Sequence, residues 1–521
     1  MRHYGFCISL IACALIVAGC TQVGPDFERP DATTNTEWET FESARVDPEQ
    51  PDITEWWHVF NDASLNELIN IAFADNLSLE TAGLRVLEAR AQLGIAVGGL
   101  YPQQQSVDGA VIYTDRSANS AGPGTDLSSW QYSLGVGVGW ELDFWGKFRR
   151  GVESADAALF ASIAGYDAAL VLLFSQVVDT YIVIRATEAQ LAISRDNVDL
   201  QRKSYEITDA LYRNGEQSEL DRQQALTLLL GTEATIPGLL AALDQARNAL
   251  SILLGRPPGD IETLIGTTAA IPESPREVAV GIPADLLRRR PDVRQAELQA
   301  AVQSARIGVA SADLYPSFVL TGSLGLVSTS GTDAISGGSF LDADNLQFTG
   351  GPAFNWPFFN YGRLKNNVRV QDARFQQTLV NYENQVLGAA REVEDAITGY
   401  VRGLDQQEIL RRGVEAAKRS ADISMLRYKE GFSDYQRVLN AQQSLFGQQQ
   451  RYITARSETV RSVTALYKAL GGGWEVRGAR NFVDEDTITT MQERTNWGQL
   501  LEVEAIENPD KTDTVLPNPD W

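Results

Sequence analysis

The chain has 521 residues, 44% hydrophobic and 21% charged, enough for two to four globular domains and a sizeable core. Its 68 acidic against 44 basic residues leave a net charge of -24, which argues against a nucleic-acid partner, because binding phosphates takes a concentrated basic surface. Cys7, Cys13 and Cys20 all fall in the first twenty residues and the histidines are His3 and His58, which excludes a disulfide framework, a Cys/His zinc site and a cysteine nucleophile.

Residues 1–19 read as a signal peptide, with Arg2, an apolar run from Phe6 to Ala18 that is too short to span a bilayer, and small residues before Cys20. The ending resembles the bacterial lipobox. It implies cleavage before Cys20 and a covalent lipid there, S-diacylglycerol on the thiol and N-palmitoyl on the new amino group; a plain secretory signal with Cys20 present by chance is the alternative. Thr21, where an aspartate would retain a lipoprotein at the inner membrane, implies the outer membrane. Residues 20–63 are a polar segment with Trp38, Trp56 and Trp57 as anchors. No apolar stretch after residue 20 approaches the ~20 residues of a membrane helix, so a crossing is expected to use strands.

The rest is written twice. Leu100-Tyr101-Pro102 returns as Leu314-Tyr315-Pro316, Trp140 to Lys147 returns as Trp356 to Arg363, and Tyr212 to Gly215 as Tyr428 to Gly431. The first repeat covers 64–284, with a helix over 64–99, a β-hairpin over 103–143, long helices over 147–254 and a linker over 255–284. The second covers 285–473, with a helix over 285–313, a hairpin over 317–359 and long helices over 362–470. Proline ends the first helix of each repeat. Trp130, Tyr132, Leu134, Val136, Val138, Trp140 and Leu142 alternate with polar or small residues, the period of a strand with one apolar face. Residues 474–521 form an equatorial or disordered tail.

An ordinary sandwich would also accept such strands. The aromatic apolar face opposite Gly, Ser and Thr, however, is the lipid-out, lumen-in pattern of a membrane barrel. Four strands cannot close one, and open edges in lipid are costly, so copies must combine. Two or three copies would serve.

Cys20 with Val23 to Pro30, Trp56 to Asp62, Trp140 to Lys147 and above all Gly281 to Arg294 carry a resemblance. The sequence resembles the TolC-type outer-membrane efflux channels, in their NodT subfamily of lipoproteins, up to about Gly473. The resemblance implies a mainly α fold with a membrane β-barrel part: two similar halves give four strands and several long helices, and a homotrimer builds a 12-stranded outer-membrane barrel continuing into a periplasmic helical tube. It implies a passive conduit fed by a periplasmic adaptor and an inner-membrane pump, with no catalysis and no cofactor beyond the lipid.

In that family the periplasmic end closes where paired helices turn, here at the tips Gly215 and Gly431. Members often carry aspartate in the position of Asn440, and some in that of Arg437, so this sequence departs from the pattern. Asp221 and Asp434 are the candidates to line the constriction, with Arg437 pairing across it and Asn440 beside it; solvated helix-turn residues are the plainer reading. Arg288, Arg289, Arg290 and Arg294 are expected to pair with Asp285, Asp292 and Glu297 around a helix starting near Pro291. Gly135 to Gly139 lies inside a strand and is a poor phosphate loop. Two other functions stay open: a poreless periplasm-spanning adaptor lipoprotein, which would not need the strands, and a surface hydrolase using carboxylates, for which the long helices leave little room.

Overall fold

The computed structural model describes residues 22–31, 38, 46–47, 52–119, 127–259, 261–266, 270–275, 277–280, 289–331, 340–478 and 480–501. Cys20, Asp285 and Arg288 lie outside them.

The two repeats fold to one plan. Helices α1 (Ala63–Asp75) and α2 (Leu77–Gly98) lead to strands β1 (Gln104–Asp115) and β2 (Ser128–Leu142), then to α3 (Lys147–Arg213), α4 (Glu219–Glu233) and α5 (Thr235–Leu253). In the second repeat α6 (Pro291–Ala312) leads to β3 (Ser317–Gly331) and β4 (Leu346–Asn355), then to α7 (Arg363–Lys429) and α8 (Tyr435–Ala469). A short helix α9 (Glu485–Arg494) follows. Both long helices have 67 residues, about 100 Å each at 1.5 Å per residue. Each starts after a glycine in the left-handed region, Gly146 (φ 75°) and Gly362 (φ 82°).

Two breaks depart from the expected continuous helices. The stretch 64–99 divides at Asn76, which ends α1 and caps α2: its Oδ1 accepts from the Leu79 N–H at 2.8 Å, and its Nδ2 donates to the Leu253 carbonyl at 2.8 Å. The return arm 219–253 divides at Ala234, three residues before Pro237, whose missing N–H and ring disfavour a continuous helix. Ile453 stands at the matching place in α8, which runs unbroken for 35 residues. Against expectation, Lys147–Arg213 and Glu219–Leu253 both contain windows apolar enough to cross a membrane. In α3 that apolarity is largely packed: Leu170, Phe174, Val177, Val178, Ile182 and Ile184 are fully buried.

The four strands form one antiparallel sheet in the order β1-β2-β3-β4, with Val107 opposite Val136, Trp140 opposite Leu320 and Phe318 opposite Phe354. Trp356 and Phe358, expected in the last strand, lie just beyond its end. The main core sits where α1, α2, α3, α5 and α8 meet. Trp56 stacks on Tyr467 at 5.3 Å and Trp57 sets its edge on Phe174 at 4.9 Å, so the segment before α1 is pinned into this core. The tail is docked rather than loose through Leu501: Phe482, Val483, Met491 and Leu501 are buried, Thr487 Oγ1 donates to Glu80 at 2.8 Å and Arg90 to the Leu500 carbonyl at 2.8 Å.

The arginine cluster is divided as its neighbours dictate. Pro291 occupies the first turn of α6, as its locked φ and absent donor favour. Arg290 is buried and grips Asp292 with two bonds of 3.0 and 2.7 Å, Glu392 at 2.8 Å and the Ala469 carbonyl at 2.8 Å. Arg289 approaches Glu475 at 3.7 Å, and Glu297 is taken by Arg29 at 2.7 Å.

Candidate channel wall and hairpin tips

The sheet has two unlike faces. On one, Val107, Val111, Tyr113, Trp130, Tyr132, Leu134, Val136, Val138, Leu320, Leu324, Phe348 and Phe354 are all exposed. Such a contiguous apolar surface marks contact with lipid or with another chain. The opposite face carries Asp108, Ser133, Gly135, Gly137, Ser323, Gly325, Gln347 and Thr349 around a shallow groove of about 380 Å³. Glycine lets two strands of the sheet approach closely. Gly135 and Gly325 are directly opposed, and a Cβ on Gly325 would stand 2.8 Å from the Gly135 Cα and 2.8 Å from the Leu134 carbonyl oxygen.

Each hairpin is tied to the helix before it by the same device. Trp140 Nε1 donates to the Leu100 carbonyl at 3.2 Å, and Trp356 Nε1 to the Leu314 carbonyl at 3.1 Å. Trp145 joins the repeats by stacking on Tyr315 at 4.6 Å while its Nε1 donates to the Pro316 carbonyl at 2.8 Å. Asp143 caps α3, accepting from the Phe148 and Arg149 N–H groups at 3.1 and 3.0 Å. Lys147 bonds Asp313 at 3.0 Å; burial opposes its charge, but Asp313, Glu141 and Asp143 outweigh that and hold the ammonium above the ordinary lysine value.

At the far end of the long helices, Gly215 (φ 77°) and Gly431 (φ 75°) turn the chain, with open space around both. Ser218 Oγ accepts from the Asp221 N–H and Asp434 Oδ1 from the Arg437 N–H, each at 3.3 Å, so Ser218 and Asp434 are the matching N-caps of the two return arms. Asp221 and Arg437 are likewise matched positions. Within the chain the Arg437 guanidinium lies 3.9 Å from Asp434, one helical turn away, and both side chains are exposed. Asp221 instead lies near enough for its charge to act on the edge-to-face pair Tyr428 and Tyr435, whose centroids are 5.3 Å apart. Burial pushes both phenols up, and the Asp221 charge adds to the rise. Asn440 joins the two tips indirectly: Gln224 Nε2 donates to Gln436 Oε1 at 3.4 Å, and Gln436 Nε2 to Asn440 Oδ1 at 2.9 Å.

The description "Outer membrane efflux protein" fits residues 68–256 and 282–472, one match to each repeat. The chain belongs to the outer membrane efflux protein family. It is similar to nodulation protein T of Rhizobium leguminosarum bv. viciae, 30% identical over 474 residues that make up 90% of this chain and 94% of that one. It is also similar to a probable efflux pump outer membrane protein, TtgC, of Pseudomonas putida, 30% identical over 90% of this chain and 95% of that one. Among solved structures, the outer-membrane channel OprN matches with a TM-score of 0.79 and 30% identity, over 87% of this chain and all of that one. This efflux protein therefore works at the outer membrane as a channel component, and the NodT resemblance read from its motifs holds.

Sequence reasoning missed the residues that build the tips of this efflux protein. Tyr428, Tyr435, Val438, Leu439 and Ala225 form a separate small core there, with Tyr205, Leu211 and Met425 against it. Asp209 binds Arg222 at 2.7 Å and Arg213 at 2.8 Å. The matched Tyr-Arg-Asn-Gly and Tyr-Lys-Glu-Gly turns held the clue, since an aromatic one turn before each glycine fits a packed tip.

Proposed function

We propose that this efflux protein is a passive homotrimeric duct that takes small molecules from an inner-membrane pump through a periplasmic adaptor and releases them outside the cell. One observation carries the reading: a four-stranded sheet with an exposed aromatic face, a polar opposite face and unpaired edges on β1 and β4 among the described residues. In lipid such edges are stable only if further copies close them. Three copies give twelve strands, and 100 Å helices below continue the lumen. The comparison with TtgC, whose name places it in an efflux pump, favours the pump and adaptor. Nothing in the duct is asked to make or break a bond.

Cys20 is the lipid attachment site on this reading. Val23, three residues on, donates to the Trp145 carbonyl at 3.1 Å, and Gln22 Nε2 reaches Glu153 at 3.2 Å. Both contacts lie where the sheet gives way to α3, and on this reading the acyl chains enter the membrane beside the barrel. The gate is assigned to Asp221 and Asp434 with Arg437 and Asn440 near the tips Gly215 and Gly431. Planar-bilayer conductance with the mass in detergent tests the whole. A trimer passing discrete, cation-preferring currents is expected, and a monomer without current would sink the duct in favour of a poreless adaptor. Asp221→Ala and Asp434→Ala are each expected to raise conductance and antibiotic uptake; unchanged behaviour in both removes them from the gate.

A further inference from the structure

Where the sheet ends and the long helices begin, a cavity of about 300 Å³ lies against the polar face. Glu141 of β2, Ser317 of β3 and Asn355 of β4 line it. Each stands an even number of residues from a member of the polar face, since 141 minus 135, 323 minus 317 and 355 minus 349 are all 6, so all three belong to that face. Lys147 and Arg363, the first residues of α3 and α7, bound the cavity on the side of the helical tube. The apolar face is the one turned to lipid, so this cavity belongs to the lumen.

Lys147 and Arg363 hold matched positions in the two repeats (363 minus 147 is 216) but meet unlike surroundings. Lys147 bonds Asp313 at 3.0 Å and lies 3.9 Å from Glu141, and Asp143 caps the same helix end. None of these three carboxylates is repeated. At the offset of 216 Glu141 and Asp143 answer to Pro357 and Phe359, and at the offset of 214 Asp313 answers to Gly99. Arg363 is exposed, and its guanidinium has no ion-pair partner among the described residues. The helix dipole opposes a cation at a helix N-terminus, and around Arg363 no matching carboxylate offsets it. Stability of α7 therefore does not account for an arginine at this position.

We propose that Arg363 is an anion-binding residue of the lumen: three copies place a belt of uncompensated guanidinium groups where barrel meets tube, and the belt holds the carboxylate of a small apolar or aromatic acid in passage. The planar fork of a guanidinium matches a carboxylate, with two parallel hydrogen bonds. The Asn355 amide lines the same cavity and supplies a further donor. Trp145 and Tyr315, stacked at 4.6 Å, give the cavity an apolar wall for the body of such a molecule. In a chain of net charge -24 the belt is a local exception, a place where an anion rather than a cation pauses.

This inference rests on the duct reading, and its test keeps the two apart. After Cys20 the chain has no cysteine, so Ser317→Cys in the full chain sets one near-isosteric reporter thiol in the cavity. Its rates of modification by an anionic and a cationic methanethiosulfonate of similar size are measured on the trimer in detergent. The anionic reagent is expected to be favoured, and Arg363→Gln to lower the ratio of the two rates about tenfold, the effect of one charge acting with opposite sign on two reagents at side-chain distance in water. Salt near ~1 M should erase that difference. Lys365→Gln removes the same charge about 200° around the first turn of α7 and should leave the ratio unchanged. A ratio that Arg363→Gln does not move overturns the belt, as does an equal fall in Lys365→Gln or a thiol that neither reagent reaches until the protein is unfolded. At matched ionic strength benzoate is expected to slow the anionic reagent in the parent and not in Arg363→Gln, whereas uncharged benzyl alcohol should protect neither. Failure of benzoate to protect the parent, or protection that persists without Arg363, overturns the carboxylate site. A monomeric mass in detergent sinks the duct itself.

Discussion

Arg290 shows how one side chain can hold three helices. It enters from the residue before α6, takes Asp292 with two bonds, reaches Glu392 on α7 and ends on the last carbonyl of α8, while Gln385 Nε2 donates to Asp292 at 2.6 Å. Burial opposes the Asp292 charge, but Arg290 and Gln385 outweigh it and hold the carboxyl below its ordinary value. Such a depressed group stabilises the fold above the unfolded-state pKa near 4, and that contribution is lost as pH falls through the lower folded value. Asp292→Asn is therefore expected to cost about 3 kcal/mol at pH 7, by leaving a buried guanidinium short of charge. Melting curves of the two proteins should begin to converge as the pH drops below about 4 and should meet only below the lower folded value of Asp292, where the wild type has lost the same charge; a gap that persists there would mean that Asp292 acts through packing. The helix start at Pro291 and the pairing of the cluster with Asp292 were legible in the sequence, whereas Glu297, expected as a second partner, is taken by Arg29. That Glu392, a hundred residues on, would complete the site was not legible, because nothing local marks a long-range partner.

Among the elements, the strands were the easiest to read and the helix breaks the hardest. Alternation over Trp130 to Leu142 is a local property, and it survives in the sheet because one face stays out of the protein core. Asn76 and Pro237 are recognised break signals, yet each stands inside a long apolar pattern that masks it. The docking of the tail could not be foreseen, since Phe482 rests against Gly83 some four hundred residues earlier: a Cβ at Gly83 would stand 1.9 Å from the Phe482 carbonyl oxygen. The glycines of the sheet carry a prediction at this scale. Gly325→Val should push β3 off β2 at Gly135 and cost about 1–3 kcal/mol, as overpacking does. Gly322→Val, with nothing within 4 Å of its Cβ, should be tolerated. Resistance of the assembly to unfolding in hot detergent measures both, and equal losses would mean that strand propensity rather than the close approach of β2 and β3 sets the effect.

For the whole molecule, duplication matters more than any single contact. The two long helices have the same length, the glycine turns and the caps Ser218 and Asp434 fall at one offset, and each return arm spans 35 residues, from Glu219 to Leu253 and from Tyr435 to Ala469. The apolar face of the first return arm is only partly used within the chain, with Leu230 and Leu240 exposed, which accords with a further copy beside it. In a closed ring of six such repeats both tips must arrive at one level, or the bottom of the tube would be ragged. Removing seven residues from the tip-proximal part of α3 alone should lift Gly215 by about 10 Å relative to Gly431 and unpair the Tyr428–Tyr435 core. A matched removal from α3, α4, α7 and α8 should leave folding intact, and trimer mass with thermal melting distinguishes the two designs.

The equal 67-residue helices thus make the chain a ruler with two coupled scales. A cell envelope of different depth cannot be met by a single insertion in one arm; it calls for simultaneous, equal changes at four places in the gene, and this interlock tends to freeze the duct's span while leaving its surface chemistry free to vary.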